Sequence, residues 1–199
     1  MDQPYVKGQA GALYLSHLDD GRTVLVKVPR RAKSISIKEK KFAKIAGSLG
    51  IGPEVIDRGE PTSLTTLFLK GYVTMGSFWS TQIQRKPTAT QILVAIHAIR
   101  LWILLKERGK VIHGDMHAEN IMYFQDSAGY IKDVKLIDYG GAKDDEPDVV
   151  SRILTHPTRF VNQVLTPASV LTSGETLHLV RKGCKDPEVL FNSLVKEFA

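Results

Sequence analysis

Cysteine is almost missing from the 199-residue sequence: Cys184 is the only one, which excludes an internal disulfide and a cysteine-based zinc site. Such sparse use of cysteine is typical of a reducing compartment, so we expect a cytoplasmic protein. Long apolar runs are missing too. The most apolar run, Ile92–Leu105, is shorter than a membrane span and contains His97 and Arg100, so we expect no membrane span. The segment MDQPYVKGQ lacks the basic region and apolar core of a cleavable signal peptide.

Acidic residues are fewer than basic ones, 21 against 27, and the formal net charge is +6. A charge of this size fits a solvated basic surface, or attraction to anions such as nucleotide phosphates, and it does not choose between them. Hydrophobic residues make up 43% and charged residues 24%. These fractions exclude general disorder, and the length allows one or two small domains with a buried core.

Short apolar runs separated by turn residues predict strands. The runs GALYLSHL and TVLVKV flank DDGR, in which Asp20-Gly21 is a hairpin signal. Further along, TTLFLKGYVTM predicts one strand, with a bend at Gly76 after it. Later in the chain, NIMYF and VKLIDY predict two strands joined by QDSAGYIKD.

Three segments carry helical signals. The first is SISIKEKKFAKIAGSLG, which Gly47 or Gly50 can end; its apolar positions are Ile37, Phe42 and Ile45. The second runs from Thr88 or Thr90 to about Arg108, with Gly109 directly after its end. The last has Asp186 as its N-cap and Pro187 in its first turn. Strands early and helices late predict an α+β fold with two lobes and a boundary near Gly76.

The stretch VIHGDMHAEN, Val111 to Asn120, crowds several polar side chains directly after the long helix. A zinc site is one interpretation, but His113 and His117 share a face only in a helix, and Gly114 and the following strand argue against one. A purely structural polar turn is the second interpretation. The third is a catalytic loop, because Asp115 and Asn120 are followed, after the predicted hairpin, by Asp138-Tyr139-Gly140.

The order His113-Gly114-Asp115-x4-Asn120, hairpin, Asp138-Tyr139-Gly140 resembles the H-R-D-x4-N and D-F-G motifs of the protein-kinase-like superfamily. The resemblance implies a two-lobed fold, with a β-rich N-lobe over residues 1–76 and a reduced helical C-lobe over residues 77–199. It also implies roles: Asp115 as catalytic base, Asn120 and Asp138 as ligands of Mg²⁺ (or Mn²⁺), and His113 as a brace. ATP would be the phosphate donor, since phosphoryl transfer needs charge neutralisation by hard oxygen ligands.

The resemblance extends upstream to a lysine and its partner. Lys27 in TVLVKV stands where kinases carry the lysine that binds ATP phosphates, and Leu25, on the same strand face, would cover the adenine. Glu39 is the only acid between Lys27 and Pro53, which makes it the candidate partner of the lysine. The alternative is that Glu39 completes a capping box with Ser36.

A glycine-rich loop should precede the lysine strand. Gly8, Gly11 and Leu13 resemble the last two glycines and the apolar residue of that loop, while Val6 stands where the first glycine would be. The segment from Leu69 to Val73 would line the adenine site. The resemblance covers roughly residues 4–141.

The match departs from ordinary protein kinases in three places. Gly114 replaces the usual Arg, so we expect activity that does not depend on phosphorylation of an activation loop. No Ala-Pro-Glu follows Asp-Tyr-Gly. His117 stands where serine/threonine kinases usually carry Lys, and H-G-D-x-H-x-x-N is similar to the loop of aminoglycoside phosphotransferases.

The resemblance as a whole implies a minimal, atypical protein kinase that phosphorylates serine or threonine in a protein. It is similar to compact bacterial effector kinases injected into host cells and to compact viral kinases, which implies a host protein, such as a chaperone, as substrate. No nucleic-acid partner is expected. A small-molecule kinase and a pseudokinase that acts as a binding module remain as alternatives.

Overall fold

The computed structural model describes residues 4–7, 11–29, 35–76 and 89–145, together with Val189, Asn192, Ser193 and Lys196. Helices and strands are mixed in an α+β arrangement, as the sequence predicts. The last predicted helix lies outside the described residues, except for those four positions, which are helical. Within the described part, no helix has the length and apolar character that a membrane crossing requires.

The first sheet is antiparallel, with four strands in chain order: β1 (Val6–Lys7), β2 (Gly11–His17), β3 (Thr23–Pro29) and β4 (Leu64–Leu67). The predicted hairpin is present between β2 and β3. Gly21 adopts a φ of 84° in its turn, a conformation that glycine accepts without steric cost. The register places Leu13 opposite Lys27 and Leu15 opposite Leu25, so all four side chains share one face.

The first predicted helix is α1 (Ile37–Ser48). It begins where the Ser36 hydroxyl accepts a hydrogen bond from the backbone N–H of Glu39, and it ends before Gly50, which has a φ of 71°. Phe42 is fully buried, whereas Ile37 is 88% exposed. Ile37 is the first helical residue and lies outside the buried stripe of Phe42, Ala43 and Ala46, so the spacing of apolar residues predicts the helix without identifying every buried position.

The predicted single strand TTLFLKGYVTM is in fact two strands in different sheets. After β4 the chain turns at Lys70-Gly71, where Gly71 has a φ of 82°. It then enters β5 (Val73–Thr74), which pairs with another part of the chain. Strand-forming residues on both sides of Lys70-Gly71 concealed this turn in the sequence. Tyr72 anchors the turn through a 2.6 Å hydrogen bond from its hydroxyl to Asp133.

The second helix, α2 (Ala89–Gly109), ends one residue later than predicted, because Lys110 and not Gly109 takes the left-handed conformation, with a φ of 52°. Gly109 stays helical, and a side chain there would begin 3.1 Å from Cγ2 of Ile45 and 3.3 Å from Cδ1 of Leu49. A side chain on Gly109 would therefore require these neighbours to shift by a few tenths of an ångström, so the glycine fits the close approach of α2 to α1.

Four further strands follow: β6 (Val111–Ile112), β7 (Ile121–Gln125), β8 (Ile131–Leu136) and β9 (Lys143–Asp144). The predicted β7–β8 hairpin is present, and with β5 it forms a three-stranded sheet, whereas β6 pairs with β9. Among the described residues, the largest fully buried side chains come from both helices, from β7 and β8, and from segments next to these elements: Phe42, Ile51, Met75, Ile99, Leu105, His113, Ile121, Tyr123 and Leu136. His113 is the only polar member of this group, and it begins the candidate site.

Candidate active site

Lys27 joins two parts of the chain that are far apart in sequence. Its Nζ lies 2.7 Å from Oε1 of Glu39 on α1 and 2.8 Å from Oδ1 of Asp138, which follows β8. The predicted ion pair with Glu39 is therefore present. The capping alternative does not compete with it, because Ser36 bonds the backbone of Glu39 and leaves its carboxylate to the lysine.

Lys27, Glu39 and Asp138 form a triad of charged side chains, in which the attraction between opposite charges outweighs the effect of burial. Burial alone would lower the pKa of Lys27, but the charges and hydrogen bonds of Asp138 and Glu39 outweigh burial and raise it. Burial would likewise raise the pKa of Asp138, and the Lys27 ammonium together with the N–H of Gly140 lowers it instead. The Lys27 ammonium and the Asp138 carboxylate therefore stabilise each other in their charged forms, and the Glu39 carboxylate contacts the same ammonium.

The residues predicted to contact the nucleotide do not all have the same position relative to Lys27. Leu13 and Leu25 share the face of the first sheet that carries Lys27, as expected for residues that would cover a nucleobase. Gly11 lies inside β2, and a side chain there would collide with the carbonyl oxygen of Val28, so the sheet itself requires this glycine. Gly8 lies outside the described residues.

The loop of the HGD motif brings Asp115 and Asn120 together. Nδ2 of Asn120 donates a 2.9 Å hydrogen bond to the backbone oxygen of Asp115 and lies 3.0 Å from Nε2 of His117. Asn120 ends a short 3-10 helix, Ala118–Asn120, and is buried, whereas the Asp115 side chain is 40% exposed. The Asp115 carboxylate is therefore partly open to solvent, whereas the Asn120 amide is buried and hydrogen-bonded within the loop.

His113 connects this loop to the end of β8. Its ring is fully buried against Tyr139, with ring centroids 4.9 Å apart, and Nε2 donates to the backbone oxygen of Ile137 at 2.9 Å. Nδ1 has no hydrogen-bond partner within the described residues, so the ring is neutral, with its hydrogen on Nε2. This geometry fits the predicted role of a brace, because the hydrogen bond joins the HGD loop to Ile137, the residue directly before Asp138.

Two glycines hold the HGD loop against the segment that follows Asp138. Gly114 has a φ of 76°, and a side chain there would collide with the carbonyl oxygen of Gly141. A side chain on Gly141 would begin 3.1 Å from Cβ of Asp115. No local sequence signal singles out Gly141, because its constraint comes from a distant loop. The contact explains why Arg is absent at position 114: the loops meet where its side chain would start.

The segment after Asp138 is also tied to α1. Tyr139 is buried and its hydroxyl donates to the backbone oxygen of Leu136 at 3.0 Å, while Gly140 lies close to the Glu39 carboxylate. Further on, Asp144 in β9 pairs with Lys41 at 2.7 Å. Helix α1, the Asp-Tyr-Gly motif and the HGD loop therefore form one connected unit.

The free energy of unfolding is expected to fall as the pH drops below about 6.5, by up to about 1.4 kcal/mol per pH unit. Burial of His113 lowers its pKa in the folded protein, so below the ordinary histidine pKa the unfolded chain binds a proton that the folded chain does not. Denaturant titrations between pH 7.5 and 5.5 measure this slope. We expect His113→Gln to reduce the slope. His97→Gln, which changes an exposed histidine, should leave the slope unchanged. An unchanged slope in His113→Gln would contradict the attribution of the pH dependence to His113.

Within the part of the chain described, no three His, Cys, Asp or Glu side chains cluster so as to hold a metal ion. A site for Mg²⁺ is a different case, because an amide oxygen, water and phosphate oxygens serve beside a single carboxylate. Asp138 and Asn120 are of the right type for such a site. Comparison with protein-family models finds no match, and a search of curated proteins finds none either.

Proposed function

We propose that the chain is an ATP-dependent phosphotransferase with a two-lobed, kinase-like fold, and that its acceptor is a serine or threonine of a protein. One observation carries the proposal: Lys27 bonds at once to Glu39 on the helix and to Asp138 after the hairpin. Removing a lysine and two carboxylates from water costs free energy, so such a cluster, built from distant segments, points to a functional role. Binding the phosphates of a nucleotide is the role that suits this lysine.

The described residues divide the chemistry between them. Lys27 would bind the phosphates below the sheet face that carries Leu13 and Leu25, which would cover the base. Asp138 and Asn120 would hold Mg²⁺, which supplies neutralisation of the phosphate charge. Asp115, half exposed on the neighbouring loop, would orient the acceptor hydroxyl and accept its proton.

The nature of the acceptor is inferred more indirectly. The resemblance to compact effector and viral kinases favours a host protein, met in the cytoplasm. The histidine at position 117 favours a second candidate, a small-molecule kinase, because the same H-G-D-x-H-x-x-N order is similar to that of aminoglycoside phosphotransferases.

Incubation of the protein with γ-labelled ATP and Mg²⁺, in a cell lysate and with a panel of aminoglycosides and sugars, tests the proposal. We expect label on protein, with phosphoserine or phosphothreonine identified by mass spectrometry. Label on a small molecule alone would favour the second candidate. Nucleotide binding without any transfer would replace both with a pseudokinase that acts as a binding module.

A further inference from the structure

His117 has no part in the transfer as proposed, yet it is one of the buried polar residues of the loop. Its side chain is 11% exposed, and Nε2 lies 3.0 Å from Nδ2 of Asn120 and 3.5 Å from Oδ2 of Asp115. The shorter contact is a hydrogen-bond distance, and the longer one is beyond the usual range. The ring therefore acts on Asn120.

The direction of this hydrogen bond follows from the other bond of the amide. Nδ2 of Asn120 already donates one hydrogen to the backbone oxygen of Asp115, which can only accept. The second amide hydrogen faces His117, so Nε2 must accept it. The ring then carries its own hydrogen on Nδ1, because a hydrogen on Nε2 would set two donors against each other.

We propose that His117 is a positioning residue that fixes the amide of Asn120 with Oδ1 turned toward the metal. With both hydrogens of Nδ2 engaged, a flip of the amide would set its oxygen against the Asp115 backbone oxygen and the Nε2 lone pair. The proposal rests on the proposed function, since it gives Oδ1 a metal to bind. A lysine at this position has donors and no acceptor, and could not hold the amide in this way.

Calorimetric titrations of ADP, once with MgCl₂ and once with EDTA, test the inference. The measured quantity is the factor by which magnesium strengthens ADP binding. We expect His117→Leu to reduce that factor about 10- to 100-fold, the usual loss when a residue that orients a metal ligand is removed. ADP affinity in EDTA should not change. His117→Gln, whose side-chain oxygen can occupy the place of Nε2, should restore most of the factor.

A wild-type factor in His117→Leu would overturn the inference. The same loss in His117→Gln as in His117→Leu, at an unchanged melting temperature, would overturn it too. So would a fall in the transfer rate with the magnesium factor intact, because His117 would then act on Asp115.

The ¹⁵N resonances of the His117 ring give a test that does not use activity. An unprotonated Nε2 is expected, and a protonated Nε2 in the wild type would remove the inference while leaving the proposed function intact. If magnesium does not strengthen ADP binding to the wild type at all, the proposed metal site itself fails.

Discussion

The variant Asp115→Ala is expected to keep its fold and its magnesium-dependent nucleotide binding, and to transfer phosphate about 10²- to 10⁴-fold more slowly, the usual loss for one general base. The carboxylate is 40% exposed, and the loop is held through the backbone oxygen of Asp115 and through His113, which the substitution leaves in place. The loss should therefore lie in the rate of transfer. Single-turnover measurements with labelled ATP, beside calorimetric titration of ADP, separate rate from affinity.

The variant Asp138→Ala should behave differently, because Asp138 is assigned to the metal and contacts Lys27 at 2.8 Å. We expect it to lose transfer and the magnesium-dependent part of nucleotide binding together. Asp57→Ala is the matched control, since Asp57 is an exposed carboxylate that pairs with Lys44 at 2.6 Å on the far part of α1. Near-normal turnover in Asp115→Ala or Asp138→Ala would contradict the proposed function.

Local signals in the sequence predicted the parts of the fold that depend on neighbouring residues. The β2–β3 hairpin follows from Asp20-Gly21, and the start of α1 from Ser36. The pairing of Lys27 with Glu39 was also predictable, because no other acid lies in that stretch of chain. In each case one or two residues determine the local structure, and the sequence offers few alternatives to them.

The constraints that the sequence could not reveal come from contacts between distant segments. Gly109 is typical of a helix end, but in the structure it stays helical and lies close to Ile45 of another helix. The turn at Gly71 lies between two groups of strand-forming residues, and the sequence does not show that these pair in different sheets. The direct contact of Lys27 with Asp138 and the closeness of Gly141 to Asp115 are of the same kind. A glycine set by a distant backbone carries no local signal.

The variant Gly114→Ala is expected to lower the free energy of unfolding and to abolish most of the transfer activity. The positive φ alone costs an L-residue about 1–2 kcal/mol. The new Cβ would also meet the carbonyl oxygen of Gly141, so the two loops must separate. Asp115 is the next residue, and Asp138 lies in the segment that would be displaced, so the separation would move the proposed catalytic base away from the proposed metal ligand.

Gly21→Ala isolates the conformational part of this effect, because Gly21 has a similar φ of 84° and no atom within 4 Å of the added Cβ. Chemical denaturation should show a larger loss of stability for Gly114→Ala than for Gly21→Ala, and only Gly114→Ala should lose activity. Equal losses of stability, with full turnover in both variants, would show that activity does not depend on the close contact between Gly114 and Gly141. Gly114→Arg should lose stability and activity as Gly114→Ala does, because the collision with Gly141 already begins at Cβ. The arginine that docks an activation-loop phosphate in ordinary protein kinases therefore cannot be added to this loop without first moving Gly141.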